Sequence, residues 1–263
     1  NPVEVHQGTA RIANSRFEHN LGGQGGQAPD TRYGRLFNEE AVIFVRGTEA
    51  VIVDNLLLEN QAPVISVDIN SMNSVYQDDG GRSTGEHQRN ADYDGNQGLL
   101  VRGNRLDRND LNGIKIREGV ISTQAVMDET DMTLVVDGPI YVSDIHTSGG
   151  LRLESKVTES LVVKFDGPEA GFVVTGMPLD IVDRTGGLIE ILGQPQSPVV
   201  LTAFADDQVG NGLKLDGTTQ KDTDNQQLGF QFENLVTTEN DPLPDALVPW
   251  LIDNDVPLTP QTA

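Results

Sequence analysis

The sequence predicts an all-β protein in which short parallel strands stack as the coils of a β-solenoid. Three observations lead to this prediction: a repeated unit of roughly 20 residues, alternation of apolar and polar residues with a period of two, and a turn-rich composition. Of the 263 residues, 28 are Gly and 13 are Pro, while aromatic residues make up only 5%. Such a composition is typical of many turns around a thin aliphatic core and is unusual for a helical bundle.

Three segments align without gaps and carry the repeated unit. They are residues 10–20, 50–60 and 99–109. Apolar residues fall at the same positions in each, and each segment closes on an asparagine: Asn20, Asn60 and Asn109. These positions describe two short strands separated by a bend. Because one unit cannot bury its inward Ile, Val and Leu side chains alone, we expect the units to stack on one another as coils.

A further alternating stretch begins five residues after the closing asparagine in two copies, as Ile65-Ser66-Val67 and Ile114-Lys115-Ile116. Residues 43–47 are the same element in the first copy, delayed by a Gly-rich insertion, and residues 3–8 resemble it. The period of two predicts a strand at each position. If residues 3–8 are that element, we expect the chain to open at the end of a coil and to be a piece of a longer protein.

These patterns divide the chain into three predicted parts. Residues 1–119 form coils from which two loops project, 21–40 and 70–97. Residues 120–215 keep short apolar runs between Gly, Pro and Asp in a different order, which predicts a second stack. Residues 216–263 are rich in acidic residues and contain Pro, which is typical of a linker or a cap over an open solenoid end.

Charge and cysteine content exclude several function classes. Lys and Arg number 18 against 40 Asp and Glu, a net charge of −22 that would repel nucleic acid and anionic membrane surfaces. The sequence contains no run of 18 apolar residues, so we expect no membrane insertion. The absence of Cys excludes disulfides, Cys-ligated metals and thiol catalysis.

The asparagines that close the units have two structural interpretations. Asn20, Asn60 and Asn109 could form an internal ladder in which side-chain amides bond from coil to coil about 4.8 Å apart. Alternatively, each Asn could support a left-handed turn conformation. Neither interpretation makes these residues catalytic.

Acidic pairs in the predicted loops are candidate calcium ligands, because Ca²⁺ takes six to eight oxygen donors. None has the spacing of an EF-hand, and a solvated acidic surface is the alternative at this net charge. The candidate residues are Asp78, Asp79, Asp206, Asp207, Asp222 and Asp224.

Aromatic and basic residues in the two long loops are candidates for glycan contact. Aromatic rings can stack on sugar faces, and charged groups can hydrogen-bond to hydroxyls. Alternatively, these are ordinary polar residues of surface loops with no role in binding. The candidate residues are Arg32, Tyr33, Tyr76, His87 and Tyr93.

The second half carries a resemblance to known proteins. The order Leu-Val-Val-Lys-Phe (161–165), Ala-Gly-Phe (170–172) and Gly-x-Pro-x-x-Pro-Val-Val-Leu-Thr-Ala-x-x-Asp-Asp (193–207) resembles segments of very large secreted or cell-surface bacterial proteins, planctomycete-like ones among them. These are parallel β-helices of the pectin-lyase-like class. With the Asn-closed coils, the resemblance covers most of residues 3–210, and it implies a right-handed coil and an extracellular or cell-surface location.

From the residues and the resemblance together, we expect a non-enzymatic stalk, matrix element or adhesin. Its partners would be neighbouring domains of a larger chain, copies of itself, or surface glycans. Many proteins of this class are polysaccharide lyases or glycosidases, so an enzyme is one alternative and a carbohydrate-binding module another. Asp107 with Lys115 and Arg117, or Asp144 with His146, could serve an enzyme, but the first set is also what an outward strand face looks like. No catalytic residue is therefore assigned.

Overall fold

The computed structural model describes residues 1–8, 10–22, 38–72, 98–122, 124–143, 150–175 and 187–224. This part of the chain contains one turn of 3-10 helix, Ile69–Ser71, and 19 strands. The strands are β1 (Val3–His6), β2 (Arg11–Ala13), β3 (Arg16–Glu18), β4 (Ile43–Arg46), β5 (Val51–Val53), β6 (Leu56–Leu58), β7 (Pro63–Asp68), β8 (Leu100–Arg102), β9 (Arg105–Asp107), β10 (Leu111–Arg117), β11 (Gly119–Val120), β12 (Gln124–Met127), β13 (Leu134–Val136), β14 (Pro139–Val142), β15 (Gly150–Glu154), β16 (Leu161–Phe165), β17 (Gly171–Val174), β18 (Leu188–Leu192) and β19 (Val199–Ala203).

All the strands pair in parallel, which confirms the all-β parallel solenoid. A seven-stranded long sheet runs through the whole stack in the order β1-β4-β7-β10-β13-β16-β19. Two three-stranded sheets, β2-β5-β8 and β3-β6-β9, complete coils 1 to 3. Two others, β11-β14-β17 and β12-β15-β18, complete coils 4 to 6. Each coil thus consists of three consecutive strands, one in the long sheet and one in each of two shorter sheets, which we call the companion sheets. Strand β19 begins a seventh coil.

The long sheet keeps one register along the stack. Val3 lies beside Ile43, Ile43 beside Ile65, Ile65 beside Ile114, and Ile114 beside Leu134. The four stretches that the sequence aligns as one element therefore do form equivalent strands of successive coils. From Ile43 to Leu134 this inward column is fully buried. Burial of such apolar columns supplies the main stabilisation of the fold.

The companion sheets change between coil 3 and coil 4. After β7 the chain enters the 3-10 turn, whose Asn70 donates to the carbonyl of Val120 (3.1 Å) and accepts from the backbone of Ser122 (2.9 Å). The new sheets therefore begin against this turn instead of continuing on β8 and β9. The predicted boundaries of the three parts stay predictions, and residues 225–263 lie outside the described ranges.

Residues 204–224 run back from β19 to the middle of the stack. Leu213 forms a parallel bridge with Arg105 of β9 and accepts a hydrogen bond from the backbone of Leu106 (2.7 Å). Further along, the carbonyl of Thr223 accepts from the backbone of Asn112 (2.6 Å). This return segment covers the last strand of the β3-β6-β9 sheet. No helix in the described ranges is long and apolar enough to span a membrane.

Candidate functional site

The outer face of the long sheet carries a row of residues in register along the stack. The row consists of Phe44, Ser66, Lys115, Val135, Lys164 and Thr202. Strand alternation turns these side chains away from the core. Even so, Phe44, Ser66, Val135 and Lys164 are fully buried. The outer face is therefore a second, more polar layer, and its charged groups require partners.

Arg117 of β10 ties three coils together on this face. Its guanidinium donates to the hydroxyl of Ser66 (2.8 Å) and to the carbonyl of Val45 (2.7 Å), and it lies 4.1 Å from the ring centroid of Phe44. Asp68 is 3.8 Å away. Burial lowers the pKa of Arg117 to about 10, and the charge of Asp68 works against that fall. Because the guanidinium is enclosed by protein groups, Arg117 links neighbouring coils and is not free to contact a ligand. We call this set of contacts the Arg117 strut.

Lys115, two residues earlier on β10, forms a second cross-coil contact. Its ammonium lies 2.7 Å from Oδ2 of Asp137 and 3.0 Å from Oε2 of Glu39. Burial alone would lower the pKa of Lys115, but hydrogen bonds to both carboxylates outweigh burial and raise it. Lys115 is therefore a cation held between two anions, and not a neutral amine poised to accept a proton.

The residues considered for catalysis are only partly brought together. Lys115 and Arg117 are neighbours on the outer face of the long sheet. Asp107 lies on β9, in another sheet, where its Oδ2 accepts from Arg108 (3.0 Å). Asp144 and His146 lie outside the described residues.

Three of the predicted calcium ligands converge beside Lys164. Asp207, Asp222 and Asp224 each place a carboxylate oxygen within 4.8 Å of the others. Asp206 instead accepts from the hydroxyl of Thr202 (2.7 Å) and the backbone of Gln208 (3.0 Å). The return segment makes this arrangement, because it brings residues 222–224 back alongside the end of β19. The cluster is the candidate cation centre of the described part.

Lys164 already supplies one positive charge to this cluster. Its buried ammonium donates to the carbonyls of Asp206 (2.8 Å) and Lys221 (3.3 Å). Burial lowers the pKa of Lys164, against the pull of the surrounding aspartates. Burial and the charge of Asp224 raise the pKa of Asp207. The geometry is thus an acidic cluster partly neutralised from within, and calcium binding here stays a prediction.

The other predicted ligands cannot be placed. Asp78 and Asp79 lie outside the described residues, as do all five candidates for glycan contact: Arg32, Tyr33, Tyr76, His87 and Tyr93. The calcium and glycan hypotheses for these loops stay predictions.

Asn20, Asn60 and Asn109 are joined by hydrogen bonds along the stack. The side-chain amide of Asn20 donates to Oδ1 of Asn60 (2.7 Å), and that of Asn60 donates to Oδ1 of Asn109 (2.6 Å). Each Oδ1 also accepts from the backbone of the asparagine before it. The residue in the left-handed conformation is the one preceding each Asn: His19, Glu59 and Arg108, with φ between 51° and 55°.

A second ladder, not anticipated from the sequence, runs beside the first. Asn55 donates from its side-chain amide to Oδ1 of Asn104 (2.9 Å), and its own Oδ1 accepts from the backbone of Ser15 (2.9 Å). Both asparagines are fully or almost fully buried. The signal was present, since Asn55 and Asn104 share one position of the aligned repeat, but the first copy has Ser15 there.

A carboxyl group that is only 15% exposed, that of Asp131, was not anticipated from the sequence. Between β12 and β13, Asp131 accepts from the backbone of Gly103 (2.8 Å) and lies 3.6 Å from the guanidinium of Arg102. Burial raises the pKa of Asp131 to about 6. Its neighbour Glu129 is completely buried, and burial together with the charge of Asp128 raises the pKa of Glu129. This junction cluster links the bend between β8 and β9 in coil 3 to the segment that follows β12 of coil 4.

Comparison with known proteins adds no assignment. No family model, no curated protein and no solved structure matches this chain.

Proposed function

We propose that this chain is a non-enzymatic structural segment of a large extracellular or cell-surface bacterial protein, serving as a stalk, matrix element or adhesin. The observation that carries the proposal is the direction of the buried side-chain hydrogen bonds. The two asparagine ladders and the Arg117 strut bond from one coil to the next. Polar side chains used in this way stabilise the stack along its axis, as a spacer under tension requires.

The acidic composition supports the same role. A net charge of −22 keeps a long surface protein soluble and favours divalent cations near it. Neighbouring domains, copies of the chain and surface glycans remain the proposed partners, and the pectin-lyase-like resemblance with its right-handed coil remains part of the proposal.

The competing function is a polysaccharide lyase or hydrolase, and one observation favours it. Lys115 and Asp137, a basic and an acidic group 2.7 Å apart, lie on the outer face of the long sheet. General acid–base catalysis uses neighbouring groups of these two kinds. The structural role is favoured for two reasons. Lys115 is also paired with Glu39, so both of its contacts are made within the protein. The nearby Arg117 is 6% exposed, which leaves little of its guanidinium accessible to a substrate.

Degradation assays separate the two functions. Purified chain is incubated with uronate-containing polysaccharides, with and without Ca²⁺, and new reducing ends and unsaturated products are measured. We expect none. Product formation by the wild type that is lost in Lys115→Met and kept in Lys214→Met, whose side chain is exposed, would overturn the structural role in favour of an enzyme.

Pulling a single chain from its two ends tests the mechanical role directly. We expect a resisting unit whose unfolding force falls in Asn60→Ala and is unchanged in Gln61→Ala, a truncation at the adjacent exposed position. Equal forces in the two variants would contradict a mechanical role for the ladders.

A further inference from the structure

The last strands of the solenoid leave its apolar core open at one end. The inward side chains of Val174 on β17, Ile191 on β18 and Leu201 on β19 are 43%, 48% and 42% exposed. The residues on which they stack, which are Val142, Leu153 and Val163, are all 0% exposed. We call the surface formed by β17, β18 and β19 the open end.

Within the described ranges, the backbone of the open end is also unpaired on its outer side. Each of the three strands is the last in its sheet, and no other described strand pairs with it. Unpaired N–H and C=O groups of an edge strand are a template for another strand. By contrast, the return segment covers the last strand of the β3-β6-β9 sheet. A partner for the open end must therefore offer both strand edges and apolar side chains.

The two ends of the solenoid differ in charge. The strands of the open end contain a single charged residue, Glu190, which is already paired with Arg152 (3.1 Å). The strands of the first coil contain Glu4, Arg11, Arg16 and Glu18. Charged edge residues are a usual defence against strand addition, and the first coil has them where the open end does not.

We propose that the open end binds the open end of a second copy of this chain, forming a dimer about a two-fold axis. An isologous contact places one apolar, almost uncharged surface against itself and closes without leaving a further site. Stacking the first coil of one copy on the open end of another would set Arg11 and Arg16 beside apolar strands. It would also place the β2-β5-β8 and β3-β6-β9 sheets of one copy on the separate β11-β14-β17 and β12-β15-β18 sheets of the other. The inference rests on the proposed structural role and names its partner.

Sedimentation and light scattering of the full chain test the proposal over about 1 to 200 µM, a range that covers dissociation constants typical of modest interfaces. We expect a concentration-dependent dimer. Ile191→Glu and Leu201→Glu should each raise its dissociation constant at least about tenfold, as loss of a central apolar contact does. Val120→Glu is the matched control, because Val120 is 49% exposed on β11, away from the open end, and it should leave the dimer unchanged.

A second measurement does not depend on folding of the charged variants. Since the chain has no cysteine, Ala203→Cys places a single thiol at the end of β19, and Val120→Cys places one elsewhere. A short bis-maleimide should cross-link the first variant into dimers and the second not at all. A melting curve of each charged variant shows whether coils 1 to 6 remain folded.

Four outcomes overturn the proposal. A full chain that stays monomeric throughout means that the open end is bare or is covered by residues 225–263. Species that grow beyond dimers indicate head-to-tail stacking, and a dimer unaffected by Ile191→Glu and Leu201→Glu places the contact elsewhere. Equal cross-linking of the two cysteine variants would do the same. None of these results bears on polysaccharide degradation, so failure of the dimer and failure of the structural role are distinguishable.

Discussion

Coils 1 to 3 and coils 4 to 6 share the long sheet but turn their corners by different means. In coils 1 to 3 the companion strands are three residues long, and the bends on either side of β6 and β9 each pair a left-handed residue with a buried asparagine of a ladder. In coils 5 and 6 the corner uses hydroxyl groups instead. Ser155 donates to the carbonyl of Ser197 (2.5 Å), and Ser197 donates to the carbonyl of Val157 (3.0 Å).

The difference shows what a sharp bend demands. A bend interrupts the backbone hydrogen bonds between coils, and buried backbone groups must be satisfied. In the first region the amide oxygen of Asn60 accepts from the backbone of Asn20, replacing a bond that a continuous strand would have made. In the second region β15 and β18 are five residues long and turn through short antiparallel bridges. Longer strands leave fewer backbone groups for side chains to satisfy.

The largest expected effect lies in the part that the two regions share, their inward apolar side chains. Leu57 on β6 is fully buried, so Leu57→Asp places an unpaired charge in the core, which costs several kcal/mol or more. We expect loss of cooperative unfolding in a thermal melt, and the same from Leu153→Asp in coil 5.

Glu59→Ala, two residues from Leu57, is the matched control. Glu59 contacts Arg108 and His19 at the surface, and exposed ion pairs contribute about 1 kcal/mol or less. Equal damage from Leu57→Asp and Glu59→Ala would contradict the register of the coil.

The next effect separates the two regions. Asn60→Ala removes bonds to Asn20, Asn109 and the carbonyl of Phe17 and leaves buried groups unsatisfied, at a cost of about 2 to 4 kcal/mol. Ser197→Ala removes one hydroxyl donor, at about 1 kcal/mol. Denaturant titration measures the free energy of unfolding of both variants. If Ser197→Ala lost as much of it as Asn60→Ala, the two kinds of corner would not differ in their contribution to stability.

The junction between the regions should make stability depend on pH. Burial raises the pKa of Asp131 from 3.8 to about 6, so in that range the folded chain holds a proton that the unfolded chain has lost. This contribution is complete below the unfolded pKa and is lost as the pH rises through about 6. Raising the pH from about 5 to about 7 should therefore lower the free energy of unfolding by about 1 kcal/mol from Asp131, which is the part of the full effect of about 3 kcal/mol that falls in this range.

Two variants isolate this contribution from the effect of the overall negative charge. Asp131→Asn keeps an acceptor for the backbone of Gly103 but does not titrate, so its stability should fall less with rising pH than that of the wild type. Glu169→Gln, at an exposed position, should retain the wild-type dependence. Identical pH profiles for the wild type and Asp131→Asn would rule out Asp131 as the titrating group.

The smallest expected effect concerns calcium. If the cluster of Asp207, Asp222 and Asp224 binds Ca²⁺, EGTA should lower the melting temperature by the equivalent of about 1 kcal/mol, the stabilisation from a ligand at several times its dissociation constant. Asp222→Asn should abolish the response, while Asp216→Asn, at an exposed turn, should not. An unchanged wild-type melt would remove the calcium hypothesis for this cluster.

Much of the fold follows from local patterns that depend on neighbouring residues. The alternation at Ile65-Ser66-Val67 and Ile114-Lys115-Ile116 predicts both strands and their equivalence, because the side-chain period of a strand is two. The asparagine positions follow from the same alignment. The Asn55–Asn104 ladder could have been found there, but one substituted copy, Ser15, hid it.

The candidate site was less predictable, because its members come from distant parts of the chain. Asp206-Asp207 and Asp222 with Asp224 were each identified as acidic pairs, but their meeting beside Lys164 depends on the path of the return segment. Nothing local marks Lys164 as buried, since a strand lysine normally points to solvent. The pKa of Asp131 likewise depends on burial by coils that lie far from it in sequence.

The sequence by itself determined that this protein is an acidic, all-β stack of short parallel coils with asparagines at its corners. Repeats and periodicity carry that information because each coil interacts mainly with the next. Only the tertiary structure decided where the companion sheets change, which charged groups are buried and paired, and which end of the core is left open. Those features depend on how distant segments pack together, and packing is not encoded in any local pattern.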